Sequence, residues 1–418
     1  MSGLILVLAV ILAYGLWSRW LSSTPITGPM VFAAAGLLFG PAVLDIVEIP
    51  LRSEGIQVLL EGTLVIVLFT DAAVIDVNAA RKHLAMPTRL LSVGLLLTIA
   101  TGTFLAELFF GELGFWGAAV VAVTLAPTDA ALGQAVVTNR AVPVTIRQGL
   151  SVESGLNDGI VVPLLAVAIA GVAGEIEGMG SLLVVFAQEV GVAAVIGIAV
   201  GFIGAKLVLL ADQHGWMMTS WRQLAVPTLA VFSYGVADVL HGSGFIAAFV
   251  GGLVFGPLVR NRIPDICSFS ESIAHLLTVL SFFVFGFAIL GPELSNVSVE
   301  VVVYALASLT VVRMVPVAIS LIGTRLSGWT VGFVGWFGPR GLASLVFAGT
   351  VVAELDPVAT ELTVTIIATT VALSVLLHGL TAWPLSHAYG KWAATMADDD
   401  AEMRKEAPVR VRLRIPND

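Results

Sequence analysis

Charged residues are scarce in this chain, and cysteine is almost absent. Only 12% of the 418 residues are charged and 58% are hydrophobic, whereas soluble domains carry about 25% charged residues. This composition excludes a soluble globular enzyme and a disordered chain. The single cysteine, Cys267, excludes an intramolecular disulfide. The formal net charge of −9 argues against a nucleic-acid partner, because binding to phosphates requires an excess of Lys and Arg.

Long apolar stretches make up most of the remaining sequence. About 20 apolar residues span a bilayer. Thirteen such stretches are expected, at residues 3–20, 26–43, 56–75, 88–109, 114–137, 144–172, 181–210, 221–240, 243–259, 273–291, 299–323, 330–353 and 360–387. The sequence therefore predicts an all-α polytopic membrane protein whose outer surface contacts membrane lipid. The first stretch has no small-residue cleavage site and is expected to remain as a span.

Basic residues predict the orientation of these spans, because Lys and Arg are enriched in cytoplasmic loops. If the N-terminus is outside, 17 of the 20 basic residues fall on the cytoplasmic side. Only Arg52 lies outside, while Arg313 and Arg340 lie within spans. We therefore expect a multi-pass protein of the cell membrane with a cytoplasmic C-terminus. Its membrane region covers 1–390, and a short polar tail covers 391–418.

The fifth stretch carries a proline and an acid at membrane depth, where charged side chains are usually functional. It reads AVVAVTLAPTDAALGQAVV, with Pro127 at its middle, followed by Thr128 and Asp129. Because proline removes an amide donor, the helix should break there. The freed carbonyl groups near Leu125 and Ala126 can coordinate a cation, and Asp129 would cap the next half-helix. The alternative is a proline kink with an N-capping aspartate and no ligand.

The sixth stretch carries two polar stripes. In RQGLSVESGLNDGIVVPLLAVAIA, Glu153 and Asn157 share one helical face. Ser154 and Asp158 share a second face, about 100° away. A monovalent cation needs several oxygen ligands, and the second stripe supplies a hydroxyl and a carboxylate. Each residue alone could simply hold helices together, but four polar groups within six residues favour a binding site.

Two arginines within spans also require partners. Arg313 lies near the middle of the eleventh stretch and needs a carboxylate. Glu153 is the expected partner, which leaves Asp158 available for a cation or a proton. In the twelfth stretch, the sequence GPRG around Arg340 predicts a second broken helix. Arg340 would either offset the carbonyl ends of two crossed broken helices or act on the substrate directly.

Asp71, in the third stretch, and the six histidines give weaker evidence of a functional role. Asp71 ends the run LVIVLFTDAAVI and is either a water-linked acid on the access path or an ordinary polar contact. The histidines fall mostly near span ends and are not expected to form a relay. An intramembrane enzyme would need a nucleophile with a base, or a metal site, and the sequence contains neither constellation.

Five features together resemble the NhaP-type branch of the monovalent cation:proton antiporters, the electroneutral ND-motif exchangers. They are APTDAALG, SVESGLNDG, the arginine of the eleventh stretch, WFGPRGLASL and the closing LLHGLT. The resemblance covers roughly residues 5–390. It implies thirteen helices in inverted repeats, with the fifth and twelfth broken and crossing. It also implies a homodimer, with a dimerisation part at about 1–80 and 221–291 and an ion-transport core at about 88–172 and 299–387.

The resemblance further implies roles for the polar residues. Those implied to bind the ion or the proton are Asp158, Asp129, Thr128, Ser154 and Asp71, and all but Asp71 would contact Na⁺. Those expected to form a structural network at the site are Glu153, Asn157, Arg313 and Arg340. Two positions depart from the family pattern. Ala130 stands where a proline often follows the TD pair, so the break depends on Pro127 alone, and Asp71 replaces a longer glutamate.

One carboxylate that holds either a cation or a proton is sufficient for exchange by alternating access. Electrogenic relatives carry an aspartate at the position that corresponds to residue 157, where it adds a second proton site. This chain has Asn157 there, and its amide cannot titrate. We therefore expect exchange of one Na⁺ for one proton, driven by ion gradients without a cofactor, for sodium transport and pH homeostasis. The alternatives are a K⁺/H⁺ antiporter of the same fold and, less favoured, a cation channel.

Overall fold

A computed structural model of the chain describes residues 2–21, 24–47, 49–75, 85–176, 178, 180, 184, 186–396 and 401–402. These residues fold into helices and connections, with no strand among them. The helices are α1 (Ser2–Leu21), α2 (Gly28–Phe39), α3 (Glu54–Val74), α4 (Ala85–Phe109), α5 (Gly114–Thr124), α6 (Ala130–Val137), α7 (Val144–Val172), α8 (Ala187–Gln213), α9 (Thr219–Val239), α10 (Gly244–Val259), α11 (Ser268–Asn296), α12 (Val299–Ser320), α13 (Gly328–Trp336), α14 (Leu342–Glu354) and α15 (Pro357–Ala393).

Seven of the described helices are long and apolar enough to cross a membrane: α3, α4, α7, α8, α11, α12 and α15. The chain is thus an all-helical, multi-span membrane protein. The stretches predicted at 114–137 and 330–353 each form two short helices, as the proline and glycine signals indicate. The predicted start at 181 falls among residues 181–183 and 185, which lie outside the described part. The described part of the chain also excludes Arg81, Lys82 and all basic residues after Glu402.

The eleventh predicted span differs from expectation, because α12 is interrupted at Thr310. The backbone there has φ −110° and ψ −84°, which is not helical. The Thr310 hydroxyl donates to the carbonyl of Leu306 at 2.6 Å. Such back-bonding to the preceding turn bends helices, and the sequence pattern of apolar residues does not reveal it.

The helices group into two compact units. The first contains the described residues within 1–60, 85–154 and 277–406. One of its cores joins α13 to α15, where the rings of Phe333 and Tyr389 stack with centroids 4.1 Å apart. These buried aromatic rings hold the half-helix α13 against the long helix α15.

The second unit contains the described residues within 61–84 and 155–276. Helix α10 approaches α3 so closely that a side chain at Gly252 or Gly256 would collide with α3 backbone carbonyls. The end of α3 is closed by Arg260, whose Nη2 donates to the carbonyls of Ala73 at 2.9 Å and Ile75 at 2.6 Å. An arginine at a helix C-terminus satisfies its unpaired carbonyls and its dipole.

A tail residue, Glu402, caps the N-terminus of α13 within the first unit. Its carboxylate accepts hydrogen bonds from the Ser327 N–H at 2.8 Å and the Thr330 hydroxyl at 2.8 Å. The Thr330 hydroxyl also lies 2.9 Å from the Tyr389 hydroxyl. Glu402 is only 2% exposed. The short tail is thus attached to the end of the half-helix that leads to the second interruption.

Glu402 should make stability depend on pH. Burial raises the pKa of Glu402, but hydrogen bonds from Ser327 and Thr330 outweigh burial and leave this pKa below its ordinary value. A depressed carboxyl pKa stabilises the fold above the unfolded pKa of about 4.3, and this stabilisation disappears as pH falls through the folded pKa. Glu402→Gln should therefore destabilise the protein at pH ~7 by about 1–2 kcal/mol, and by less at pH ~4.

The measurement is thermal unfolding in detergent at both pH values. Glu112→Gln, at an exposed position, serves as the control. An equal loss for Glu402→Gln at both pH values would contradict the capping role.

Candidate functional site

The first interruption, between α5 and α6, follows from Pro127 and is capped by Asp129. Helix α5 ends at Thr124 and α6 begins at Ala130. Asp129 is extended, with φ −87° and ψ 120°, and its Oδ1 accepts the Leu132 N–H at 2.8 Å. The break and the N-cap expected from the sequence are therefore both present.

The second interruption, between α13 and α14, lies directly against the first. The Asp129 N–H donates to the carbonyl of Pro339 at 2.7 Å. The Leu342 N–H, at the start of α14, donates to Asp129 Oδ2. A Cβ at Gly341 would collide with this carboxylate, so only glycine fits there. One aspartate thus caps two half-helices, one with each oxygen, and both N-termini stabilise its negative charge.

Arg340 provides the opposite charge at this crossing. It is fully buried, and its Nη1 donates to the carbonyls of Ala126 and of Pro127, the latter at 3.3 Å. Its backbone N–H donates to Ser374 Oγ at 2.6 Å. Within the described residues, Arg340 Nε and Nη2 have no hydrogen-bond partner. The guanidinium therefore lies at the carbonyls that follow α5, which is one of the two carbonyl ends that one sequence interpretation expects it to offset.

This contact involves one of the carbonyls near Leu125 and Ala126 that the sequence suggested as cation ligands. The Ala126 carbonyl accepts a hydrogen bond from Arg340. A second positive charge beside that guanidinium would be repelled at a site with little water to screen it. The Ala126 carbonyl thus helps to hold the two interruptions together, and coordination of a cation by these carbonyls stays a prediction.

Two hydroxyl groups are brought together next to the crossing. Thr128 Oγ1 and Ser154 Oγ are 2.9 Å apart, and Thr128 is 1% exposed. A narrow recess with a volume of about 20 Å³ reaches Ser154, and we call it the Ser154 recess. It is lined by Ala130, Gly133, Val136, Val137, Leu150, Ser151, Ser154, Phe337 and Pro339. The hydroxyl pair is thus placed where a small ion could enter, and hydroxyl oxygens are suitable ligands for one.

The expected partner of Arg313 is present. Arg313 Nη1 and Glu153 Oε1 are 2.6 Å apart, and Nη2 donates to Oε2 at 2.9 Å. Each residue is 2% exposed. This two-point contact neutralises a buried charge on α7 and a buried charge on α12, which neither helix could carry alone.

The remaining predicted residues lie on or beside α7. Asn157 and Asp158 follow on this helix, and Asn157 is 1% exposed. In the second unit, Asp71 lies against α7: its Cβ would be 3.8 Å from a Cβ added at Gly155. Since Gly155 and Asp158 are three residues apart on one helix, Asp71 is about one turn from Asp158.

Sequence reasoning missed the contribution of α15. His378, expected near a span end, is 1% exposed, and its Nε2 lies 2.9 Å from the carbonyl of Trp336, the last residue of α13. Ser374, which binds the second interruption, precedes it by one turn. The available signal was a set of polar residues spaced four apart in an otherwise apolar helix.

An all-helical membrane protein with two interrupted helices joined at their breaks has the architecture of a secondary transporter. The family model described as "Sodium/hydrogen exchanger, transmembrane" matches residues 5–387. The chain therefore belongs to the sodium/hydrogen exchanger family, a family of transporters and not of enzymes.

Relatives and a solved structure agree with this assignment. The chain is 25% identical over 323 residues to the K⁺/H⁺ antiporter NhaP of Alkalimonas amylolytica, covering 76% of this chain and 55% of the relative. It is 28% identical over 256 residues to the Na⁺/H⁺ antiporter NhaH of Halobacillus aidingensis, covering 58% and 60%. The chain thus spans little more than half the length of these curated relatives.

In fold, the chain is similar to the sodium proton antiporter MjNhaP1 of Methanocaldococcus jannaschii. The TM-score is 0.75 at 22% identity, covering 91% of this chain and 100% of that chain.

Removing either partner of the buried ion pair should destabilise the protein strongly. Glu153→Ala or Arg313→Ala leaves one buried charge uncompensated, at a cost of about 3–5 kcal/mol. Both variants should melt at lower temperature in detergent than Asp158→Asn does. The double variant Glu153→Gln/Arg313→Met should lose less than the sum of its single changes. Equal melting temperatures for the single variants and Asp158→Asn would contradict this role of the pair.

Proposed function

We propose that the chain is a secondary active antiporter that exchanges a monovalent cation, first of all Na⁺, for a proton by alternating access. The observation that carries the proposal is the joined crossing of two interrupted helices beside the Thr128–Ser154 hydroxyl pair. Ser154 of this pair lies one helical turn before Asp158 on α7. Membership in the exchanger family supports the proposal, as do the antiporters named above.

In this proposal Asp158 is the carboxylate that holds either the cation or the proton. Ser154 is four residues earlier on α7, so its hydroxyl and the Asp158 carboxylate share one helical face. Thr128 and Ser154 add hydroxyl oxygens to the cation site, and Asp71 connects to it through water. A hard cation with several oxygen ligands fits this set of donors.

Asp129 completes the site as a fixed charge. Both of its carboxylate oxygens accept N–H groups at half-helix N-termini, which favours the ionised form throughout the cycle. It can therefore attract a cation without exchanging protons. Glu153, Asn157, Arg313 and Arg340 form the structural network at the site.

The proposed stoichiometry is one cation for one proton, because Asp158 is then the only group that titrates in the cycle. Asn157 cannot ionise, and Asp129 stays charged. Each cycle then moves one positive charge in each direction and leaves the membrane potential unchanged.

The identity of the cation is proposed as Na⁺, with K⁺ as the alternative in the same site. One relative named above is a Na⁺/H⁺ antiporter and another is a K⁺/H⁺ antiporter. A cation channel is less well supported, because the half-helix ends are closed by Asp129 and Arg340 and do not line an open filter. Flux that saturates with cation concentration would favour the carrier.

The proposed architecture has thirteen spans in inverted repeats. In support, each interruption is followed by a long helix, α7 after α5 and α6, and α15 after α13 and α14. The proposed dimerisation part covers about 1–80 and 221–291, and the core about 88–172 and 299–387. The dimer itself rests on the family resemblance.

The proposed orientation places the N-terminus outside and the C-terminus in the cytoplasm, following the distribution of basic residues. The Ser154 recess runs along α6 and the early part of α7, near the connection that carries Arg140. Because that connection is assigned to the cytoplasm, the recess is the proposed cytoplasmic access path to Ser154.

Asp158→Asn should fold and insert but abolish exchange, because an amide can neither ionise nor release a proton. The measurement is cation-triggered proton flux in proteoliposomes, with equal amounts of folded protein. Glu61→Gln is a matched control, since Glu61 is an acid in a membrane helix that accepts a hydrogen bond from Tyr234 at 3.0 Å. Retained flux in Asp158→Asn would overturn the assignment of Asp158.

The experiment that tests the whole function measures exchange for Na⁺, K⁺ and Li⁺ in turn, with and without a K⁺/valinomycin clamp. A membrane-potential dye reports charge movement. We expect saturable exchange that generates no potential, with apparent cation affinity falling as pH drops through the pKa of the carrier carboxylate. A cation-dependent potential in the absence of the clamp would contradict one-for-one exchange, and no proton flux with any cation would reject the function.

A further inference from the structure

Three polar side chains on one face of α15 contact the last residue of α13 and the interruption that follows it. Ser374, His378 and Thr381 are spaced four and three residues apart, so they lie on the same side of the helix. Ser374 is 0% and His378 1% exposed. Buried polar groups of this kind are costly unless their partners are well placed.

Each of these side chains binds a residue within or next to the second interruption. Ser374 Oγ accepts the Arg340 N–H at 2.6 Å. His378 Nε2 lies 2.9 Å from the carbonyl of Trp336, and the two rings have centroids 5.0 Å apart. The Trp336 indole Nε1 donates to Thr381 Oγ1 at 3.0 Å. The three contacts reach both ends of the non-helical segment 337–341, so they hold it from both sides.

Both ring nitrogens of His378 face polar atoms. Nε2 lies 2.9 Å from the carbonyl of Trp336, and Nδ1 lies 2.9 Å from the backbone carbonyl of Ser374 and 3.2 Å from the Ser374 hydroxyl. A neutral ring carries one proton and donates to only one of these carbonyls. In the tautomer that joins α15 to α13, Nε2 donates to Trp336 and Nδ1 accepts from the Ser374 hydroxyl, which links the Arg340 N–H to the Trp336 carbonyl through Ser374 and His378.

This link supplies a partner for the fourth half-helix end at the crossing. Asp129 caps the N-termini of α6 and α14, and Arg340 meets the carbonyl of Ala126, just after the C-terminus of α5. At the C-terminus of α13, the carbonyl of Trp336 accepts the Gly338 N–H at 2.8 Å and lies 2.9 Å from His378 Nε2. A carbonyl oxygen has two lone pairs, and a ring N–H uses the second without adding another full charge beside Arg340.

We propose that Ser374, His378 and Thr381 are positioning residues for ion exchange. They hold segment 337–341 so that the Pro339 carbonyl receives the Asp129 N–H and the Arg340 side chain meets the end of α5. This inference rests on the proposed function, because the ligands it positions, Asp129 and Thr128, belong to the proposed cation site.

The first test measures the apparent KM for Na⁺ and the maximal rate in proteoliposomes. His378→Leu removes the ring donor, and one lost hydrogen bond should raise KM about two- to tenfold. The maximal rate per folded transporter should change less. Ser374→Ala should act in the same direction, and Thr381→Val more weakly. His378→Gln should restore most of the affinity, because its amide can donate to Trp336 and accept from Ser374.

His387→Leu provides a matched control on the same helix. His387 Nδ1 bonds the carbonyl of Trp383 at 3.1 Å and its ring lies 4.2 Å from the Trp383 ring. This local arrangement resembles that of His378, but it involves only α15. The KM of His387→Leu should equal that of the unchanged protein.

The second test does not require transport and uses amide hydrogen exchange of the peptide around 336–342. His378→Leu and Ser374→Ala should speed exchange there, and His387→Leu should not. If the unchanged protein showed no proton flux, the proposed function would fail, while faster amide exchange would still support the hold on this segment.

Unchanged amide exchange in both Ser374→Ala and His378→Leu would overturn the inference. Faster amide exchange with an unchanged KM would also overturn it, because the hold would then be structural without positioning the site.

Discussion

The structure depends on one carboxylate shared by two half-helices. Asp129 lies where α6 and α14 both begin, and each of its oxygens accepts an N–H from one of them. Two helix N-termini pointing at each other would repel, since each carries a partial positive charge. The aspartate between them converts this repulsion into attraction and thereby fixes the distance between the two breaks. Gly341 is required because a larger residue would displace the carboxylate.

The carbonyl ends of the broken helices are met by one positive charge and one neutral hydrogen-bond donor. Arg340 meets the carbonyl end of α5, and His378 meets that of α13. Glu153 and Arg313 neutralise each other a short distance along the chain from Ser154. The four buried charges Asp129, Glu153, Arg313 and Arg340 are thus each paired or placed at a break between half-helices. The proposed exchange of cation and proton is assigned to Asp158, farther along α7.

The sequence predicted those features of the site that are encoded locally. Pro127 breaks its own helix, and an aspartate two residues later caps the next one, so both follow from neighbouring residues. The pairing of Glu153 with Arg313 was also predictable, because a buried arginine needs an acid and few are available. The hydrogen bond from Arg340 to the Ala126 carbonyl was not predictable, since nothing local indicates that Arg340 would reach it.

The sequence by itself determined that this is a helical membrane protein, where two of its spans break and which acids lie at membrane depth. These properties depend on hydropathy and on residues within one turn of each other. Only the tertiary structure decided that both breaks share Asp129, that Arg340 meets α5 and that His378 meets α13. These contacts join residues 213, 214 and 42 positions apart. Their partners are chosen by how the helices pack, which the periodicity of a single helix does not encode.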